Sequence, residues 1–259
     1  MLDFVFILSL ITGIFVASAA SYLGSFMVLR RMALVGDAFT HIALPGMGIA
    51  FLLQANPFVG AFVFLAFGAF AIWFLEHKTK IYTEALVGVI FTLGLALGIL
   101  ITPEPELFEA LFGNISEATI LGTIISAGLA LAVLILIFRI SRQVMMGIIS
   151  EDFAKANGVK IEMINLFFLI MVAVITALGI KIVGALLMGA LVIIPPAAAK
   201  NLSRSLNEYG VLSVVFGVAS VVLGLFASKI FGFPSGPMVV LTSALIFFLS
   251  FLRFFFRIR

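Results

Sequence analysis

Two ionisable side chains stand one helical turn apart in an otherwise apolar stretch of the chain. Asp37 and His41 lie in the segment RRMALVGDAFTHIALPGMGIAFLL at 30–53, and on a helix their i, i+4 spacing places both side chains on one face. A carboxylate oxygen and an imidazole nitrogen are suitable ligands for dications such as Zn²⁺ and Mn²⁺. Two ligands do not complete a site, but a symmetric homodimer would bring two such pairs to one axis.

The same pair has an interpretation that needs no ligand. Aspartate is common immediately before a helix, where Asp37 would act as an N-cap. His41 would then hydrogen-bond a neighbouring carbonyl. These two residues alone support both interpretations equally. A charge in hydrocarbon, however, costs roughly 2.5 to 3.5 kcal/mol and is rarely kept without a partner or a pathway to line.

The composition defines the environment of this pair. Hydrophobic residues make up 64% of the 259 residues and charged residues 10%, whereas soluble domains have about 25% charged residues. The chain has 29 Phe and no Cys, so disulfides and thiolate metal sites are excluded. We therefore expect an all-α, polytopic membrane protein built as a helical bundle and surrounded by lipid, with no nucleic-acid partner.

Nine apolar segments meet the length of about 20 residues that one membrane crossing requires. They lie near 4–29, 38–54, 57–75, 84–102, 119–138, 163–180, 182–199, 209–229 and 236–252. If 163–199 forms one bent helix instead, the number is eight. Either count predicts a single transmembrane domain over 1–259.

The basic residues favour nine crossings. With the N-terminus outside, all but Lys181 and Lys229 of the 15 Lys and Arg residues fall on the inner side, as the positive-inside rule requires. The loop at 102–118 carries four Glu and no cation, which is typical of an outer face. This topology predicts a cytoplasmic C-terminus.

With nine crossings, an unpaired fifth segment separates two groups of four that begin on opposite sides of the membrane. Such an inverted repeat is common in transporters. We expect one repeat at about 4–102, a linking span at 119–138, and a second repeat at about 163–252.

The second segment of each predicted repeat contains proline. Pro45 and Gly46 lie in the first repeat, and Pro195 and Pro196 lie in the second. Proline removes a backbone donor and clashes with the preceding turn, so we predict interrupted helices that shape a translocation pathway. Prolines that merely kink a membrane helix are the alternative.

Motifs along nearly the whole chain resemble those of the manganese, zinc and iron chelate-type permease subunits of bacterial ATP-binding cassette (ABC) importers. They are VLRRMALVGDAFTHIALPG at 28–46, TEALVGVIFTLGLALGIL at 83–100, ISEDFAKANGV at 149–159, VGALLMGALVIIPPAAA at 183–199 and GPMVVLTSALIFFLS at 236–250. The chain departs from the usual family pattern at one point, where IIPAA is replaced by IIPPA. The resemblance implies the all-helical type II importer permease architecture.

The resemblance also implies partners and a cargo. Asp37 and His41 match the pair associated with the family's metal pathway. The chain would work as a homodimer with two ATPase subunits and an extracytoplasmic metal-binding protein, in the cytoplasmic membrane of a bacterium or archaeon. The expected cargo is Zn²⁺ first and Mn²⁺ second, with no permanently bound cofactor. Glu84, near His77, is a weaker metal candidate, and an acid–dipole pairing at a helix start is its alternative.

A polar segment at 147–160 lies between the two predicted repeats. Ser150 as N-cap, acidic residues in the first turn and Gly158 at the end predict a short helix. In the resembling family this segment is the coupling helix that docks on the ATPase; the alternative is a solvated loop. The residues assigned to that contact are Glu151, Asp152, Ala154 and Gly158.

Several signatures of enzymes are missing. The sequence has no Gly-Lys dipeptide and hence no Walker A loop, and it contains neither His-Glu-x-x-His nor Gly-x-Ser-x-Gly. We therefore predict a transport subunit whose ATP is hydrolysed by a partner chain. The alternative is a secondary carrier that works without an ATPase and uses Asp37, His41 and Glu84 as a proton relay. The coupling-like segment favours the first function.

Overall fold

The computed structural model describes residues 4–79, 81, 83–103, 106–107, 110–111 and 119–256. Within these residues all the regular secondary structure is helical, which confirms the predicted all-α bundle. The helices are α1 (Phe4–Leu29), α2 (Ala33–Leu52), α3 (Pro57–Lys78), α4 (Thr83–Ile101), α5 (Ile120–Ile149), α6 (Glu151–Ala156), α7 (Ile161–Val183), α8 (Ala185–Leu202), α9 (Leu206–Phe231) and α10 (Ser235–Phe256). Most of the acidic loop at 102–118 lies outside the described residues.

Eight of the described helices are long and apolar enough to cross a membrane, namely α1 to α5, α7, α9 and α10. The ninth predicted segment is α8, which has 18 residues and an apolar part, Met188–Leu202, that is shorter than the other spans. The backbone turns between α7 and α8 at Gly184, whose φ of 87° lies in the left-handed region that favours glycine. The alternative of one bent helix over 163–199 is therefore wrong.

The prolines do not interrupt their helices, which corrects the prediction. Pro45 lies inside α2, and Pro195 and Pro196 lie inside α8, and both helices continue through them. Each proline still lacks the N–H that would bond the carbonyl four residues earlier. Pro45 thus deprives the His41 carbonyl of its helical donor, and Pro196 does the same for Val192.

α2 is the most enclosed of the eight spans, with 78% of its apolar stretch buried, against 22% for α4. Gly46 lies so close to Gly60 of α3 that an added Cβ on either residue would overlap the carbonyl oxygen of the other. On the other side of α2, helix α4 is also close. A Cβ added at Gly98 of α4 would lie 2.6 Å from Cβ of Leu44 and 3.4 Å from Cδ of Pro45. Small residues of this kind allow membrane helices to approach closely. Close packing on both sides therefore supports α2 where proline weakens it.

The helices on either side of α5 pack in the same way. α2 packs on α3 and α4, and α8 packs correspondingly on α9 and α10. α1 packs on α9 and α8, and α7 packs on α3 and α2. α5 contacts α1 and α7, the first helix of each group. The main contacts of α1–α4 therefore have counterparts among those of α7–α10.

Candidate metal pathway and coupling helix

Asp37 lies inside α2. The helix begins at Ala33 with Met32 at its N-cap and without a side-chain cap hydrogen bond. The interpretation of Asp37 as an N-cap is therefore wrong. Its main-chain carbonyl accepts a hydrogen bond from Thr40 Oγ1 at 2.6 Å, and its side chain is half-buried. The helical geometry places Asp37 and His41 on one face, as predicted.

The carboxylate of Asp37 faces a glycine of α8. A Cβ added at Gly189 would lie 2.7 Å from Asp37 Oδ1 and 2.9 Å from its Cα. One residue before Asp37, Gly36 faces Val192 of the same helix, where an added Cβ would lie 3.3 Å from Cγ1. Gly189 thus provides the space that the carboxylate occupies between α2 and α8. We did not single out Gly189 from the sequence, although it lies in the fourth motif of the resemblance.

His41 is 7% exposed, and its Nδ1 atom is buried with no hydrogen-bond partner among the described residues. Its ring packs edge-on against Phe91 of α4, with centroids 4.9 Å apart and planes at 81°. The expected alternative, a hydrogen bond to a neighbouring carbonyl, is not present among these residues. A buried polar atom without a partner costs free energy, about 1 to 3 kcal/mol, and calls for an explanation such as an ion or a catalytic role.

The pair is incomplete within one chain. Among the described residues, no group of three or more His, Cys, Asp or Glu side chains is placed to hold a metal ion. The carbonyl of His41, which lacks a helical donor, lies beside Gly94 of α4, where an added Cβ would be 3.2 Å from the oxygen. Asp37 and His41 therefore offer one carboxylate and one imidazole, which do not by themselves complete a metal site.

Glu84 and His77 do not form a second ligand pair. Glu84 is exposed in the first turn of α4, which fits the acid–dipole alternative. His77 Nε2 lies 2.9 Å from Oε1 of Glu162 in α7, and its ring stacks on Trp73 with centroids 5.6 Å apart. Trp73 Nε1 also donates to the Glu162 carbonyl at 3.0 Å. This cluster ties α3 to α7 and leaves Glu84 outside it.

The predicted short helix between the two groups is confirmed. α6 begins after Ser150, whose Oγ accepts a hydrogen bond from the N–H of Phe153 at 3.2 Å. Glu151 occupies the first turn and lies 3.9 Å from Nζ of Lys155. The segment ends at Gly158, whose φ of 77° is suited to glycine.

The outward face of α6 differs from the predicted one in two residues. Ala154 is completely buried, so its assignment to an ATPase contact is wrong. Phe153 is 55% exposed beside the exposed Glu151 and Asp152, and Gly158 is exposed as well. An aromatic side chain in a polar six-residue helix was the signal in the sequence that could have identified Phe153.

A membrane bundle whose most enclosed helix carries a half-buried carboxylate and a buried imidazole, with a short capped helix beside it, is the architecture that comparison with known proteins places in a known family. The chain belongs to the ABC 3 transport family, which matches residues 3–254. The family consists of transporter permease subunits and not of enzymes. The chain is accordingly an integral protein of the cytoplasmic membrane.

Proteins of both manganese and zinc systems are similar to this chain over most of its length. The manganese import system permease protein ScaB of Streptococcus gordonii is 34% identical over 247 residues, covering 94% of this chain and 89% of that protein. The manganese transport system membrane protein MntC of Listeria monocytogenes is 31% identical over 248 residues, with the same coverage. The high-affinity zinc uptake system membrane protein ZnuB of Haemophilus influenzae is 30% identical, covering 93% of this chain and 95% of that protein.

Two solved structures share the fold. PsaBC from Streptococcus pneumoniae in complex with Fab is 33% identical, with a TM-score of 0.83 over 94% of this chain and 89% of that chain. An inward-facing conformation of a putative metal-chelate type ABC transporter is 16% identical, with a TM-score of 0.77 over 95% of this chain and 85% of that chain. The second structure bears on the fold alone.

Proposed function

We propose that this chain is the membrane-spanning subunit of an ATP-driven importer of divalent metal ions, with Mn²⁺ or Zn²⁺ as cargo. The observation that carries the proposal is the His41 imidazole, which is buried in α2 without a hydrogen-bond partner and one turn from the Asp37 carboxylate. Relatives named for manganese import and for zinc uptake support both cargoes. An oxygen and a nitrogen ligand suit either ion.

Two copies of the chain would complete the ligand set. A single chain supplies one carboxylate and one imidazole, and a homodimer would supply four side-chain ligands without any cysteine. A conduit also differs from a structural site because its cargo must leave, so a small ligand set suits transient binding. The His41 carbonyl, which lacks its helical donor because of Pro45, is a further oxygen near the same place.

The ATPase subunits would bind the exposed face of α6. Phe153 is a large apolar side chain flanked by Glu151 and Asp152. A buried aromatic surrounded by charged residues is a common arrangement at the centre of a protein interface. An extracytoplasmic binding protein would deliver the ion from the opposite side, where we place the acidic loop at 102–118.

The repeat boundaries of 4–102 and 163–252 belong to the same proposal. The matching contacts of α1–α4 and α7–α10 support a repeat, with α5 as the linking span. In this arrangement α2 and α8 are equivalent helices, and Asp37 faces Gly189 where the two meet. The ligand pair therefore lies where the two repeats contact each other, which is where transporter repeats commonly form their sites.

The test is metal uptake by the complete complex in proteoliposomes. The permease, its ATPase and its binding protein are reconstituted together, and uptake of Mn²⁺, Zn²⁺ and Fe²⁺ is measured with and without ATP. We expect ATP-dependent uptake of Mn²⁺ or Zn²⁺. Uptake by the permease alone under a proton gradient would support the secondary carrier, and it would contradict the importer.

A further inference from the structure

A partly buried arginine, Arg30, lies between the coupling helix and the turn that begins α2. Arg30 follows α1, and its N–H donates to the Phe26 carbonyl at 2.9 Å. The next residue, Arg31, has a φ of 60°, and the N–H of Met32 then bonds the Met27 carbonyl at 2.9 Å. The turn is therefore tight, and only Arg31 and Met32 separate Arg30 from the start of α2, the helix that carries Asp37.

The guanidinium of Arg30 is held by helices distant in sequence. It lies over the ring of Phe168 in α7, 5.1 Å from the ring centroid, which is a cation–π geometry. Gly147 of α5 borders it, since a Cβ added there would lie 3.8 Å from Arg30 Nη2. Arg30 also lines a cavity of about 270 Å³ together with Glu76 of α3 and Glu151 of α6.

The charges around Arg30 come from the same elements. Burial lowers the pKa of the Arg30 guanidinium, and the carboxylates of Glu76 and Glu151 raise it. Arginine stays protonated in proteins, so the Arg30 guanidinium is a cation attracted to both carboxylates. The Oδ1 atom of Asn165, which lines the same cavity, is buried without a hydrogen-bond partner among the described residues.

The coupling helix α6 has few packing contacts with the described part of the bundle. Among the described helices, α6 packs mainly on α5 and α7, which precede and follow it in the chain. Arg30 and Glu151 line the same cavity and attract each other electrostatically, which relates α6 to the turn before α2. Through Arg30, α6 is related to the start of α2 without any other helix in between.

We propose that Arg30 is a positioning residue that joins the coupling helix α6 to α2, so that movement of α6 is transmitted to Asp37 and His41. The inference rests on the proposed importer function. Arginine suits this role better than lysine because its planar group stacks on Phe168 while its charge attracts both carboxylates. Lysine would keep the charge and lose the stacking.

The test compares Arg30→Met and Arg30→Lys in the reconstituted complex. The measured quantity is metal taken up per ATP hydrolysed, with assembly and basal ATPase activity recorded in parallel. We expect Arg30→Met to lower this ratio about tenfold, a typical coupling effect, with Arg30→Lys in between. Arg139→Met is the matched control, because Arg139 is an exposed arginine on α5. A normal ratio in Arg30→Met overturns the inference.

A distance measurement separates transmission from a purely structural effect. The chain has no Cys, so spin labels can be attached at Leu34→Cys and Lys155→Cys, both exposed positions. With Arg30 in place, we expect the distribution of distances between the labels to stay narrow and unshifted when ATP binds, since α6 and the start of α2 move together. Arg30→Met should broaden or shift it, and identical distributions would overturn the inference.

Phe168→Leu provides a second variant in case Arg30→Met does not assemble. It keeps the cation and both carboxylates and removes only the aromatic face, and a normal ratio of uptake to ATP hydrolysis in this variant would contradict the inference. Absence of uptake by the unmodified complex is a separate result, because it would refute the importer function and leave the distance measurement to decide the role of Arg30.

Discussion

Asp37 and Gly189 are complementary across the contact between α2 and α8: a Cβ at residue 189 would lie 2.7 Å from the Asp37 carboxylate. The side chain that the proposal needs is therefore positioned by the absence of a side chain on the facing helix. A change at Gly189 should act on Asp37 without altering any candidate ligand.

Gly189→Ala should reduce metal uptake at least about tenfold, because the added methyl group displaces Asp37 and overpacking of this kind costs about 1 to 3 kcal/mol. Uptake in proteoliposomes measures the effect, and assembly with the ATPase serves as the check on folding. Gly128→Ala on α5 is the matched control, since a Cβ there meets nothing within 4 Å. Equal uptake by the two variants would show that the position of Asp37 does not matter.

Asp37→Asn should abolish uptake while leaving expression and ATPase association intact. The amide keeps the size and most of the hydrogen bonding of the carboxylate but removes the charge that attracts a dication. Normal uptake by this variant would refute the metal pathway at α2.

His41→Leu should also abolish uptake, and it should not lower thermal stability. The substitution removes a buried imidazole whose Nδ1 has no partner in the described part of the chain, so no hydrogen bond is lost there. Thermal unfolding of the purified permease measures the second effect. A large loss of stability would indicate that His41 serves packing against Phe91 instead of metal binding.

Phe153→Ala should weaken ATPase binding by about 2 kcal/mol, close to a 30-fold change in Kd, as expected for an aromatic residue at the centre of an interface. Lys155→Ala is the control on the same helix, because its 3.9 Å pair with Glu151 is exposed and contributes little. Gly158→Pro should also uncouple ATP hydrolysis from transport, because proline cannot adopt the φ of 77° at which the segment ends. Binding is measured with detergent-solubilised permease and purified ATPase. Equal Kd values for Phe153→Ala and Lys155→Ala would move the contact elsewhere on α6.

A reporter fused after Arg259 should be cytoplasmic, and one inserted within 104–117 should be external. The distribution of basic residues is the physical reason, because thirteen of the 15 Lys and Arg residues would otherwise lie outside. The measurement uses two reporters, one active only in the cytoplasm and one active only outside, at each of the two positions. The same signal at both positions would overturn the nine-crossing topology.

Local signals predicted the parts of the fold that depend on local chemistry. Ser150 and Gly158 delimit α6 because an N-cap and a left-handed residue act on adjacent backbone groups. The effect of Pro45 was predicted wrongly, since its missing donor is a local property but the continuity of α2 depends on close packing against α3 and α4.

In the candidate site, too, the features set by local sequence were predictable and those set by distant helices were not. The spacing of Asp37 and His41 identified a shared helix face, which is a local property. The facing residue Gly189, the buried orientation of Ala154 and the placement of Arg30 depend on helices far away in the sequence. No periodicity or spacing within one segment contains that information.

The close approach of Gly46 and Gly60 restricts how α2 can move relative to α3. Because Gly46 and Gly60 leave no space between the two backbones, α2 cannot slide or rotate on α3 without a steric clash. The smallest moving unit is then the helix pair, and α3 ends in the His77–Glu162 tie to α7. Any movement of α2 that opens a path for a metal ion would thus carry α3 with it, so substitutions far from the two candidate ligands, on α3, would also alter transport.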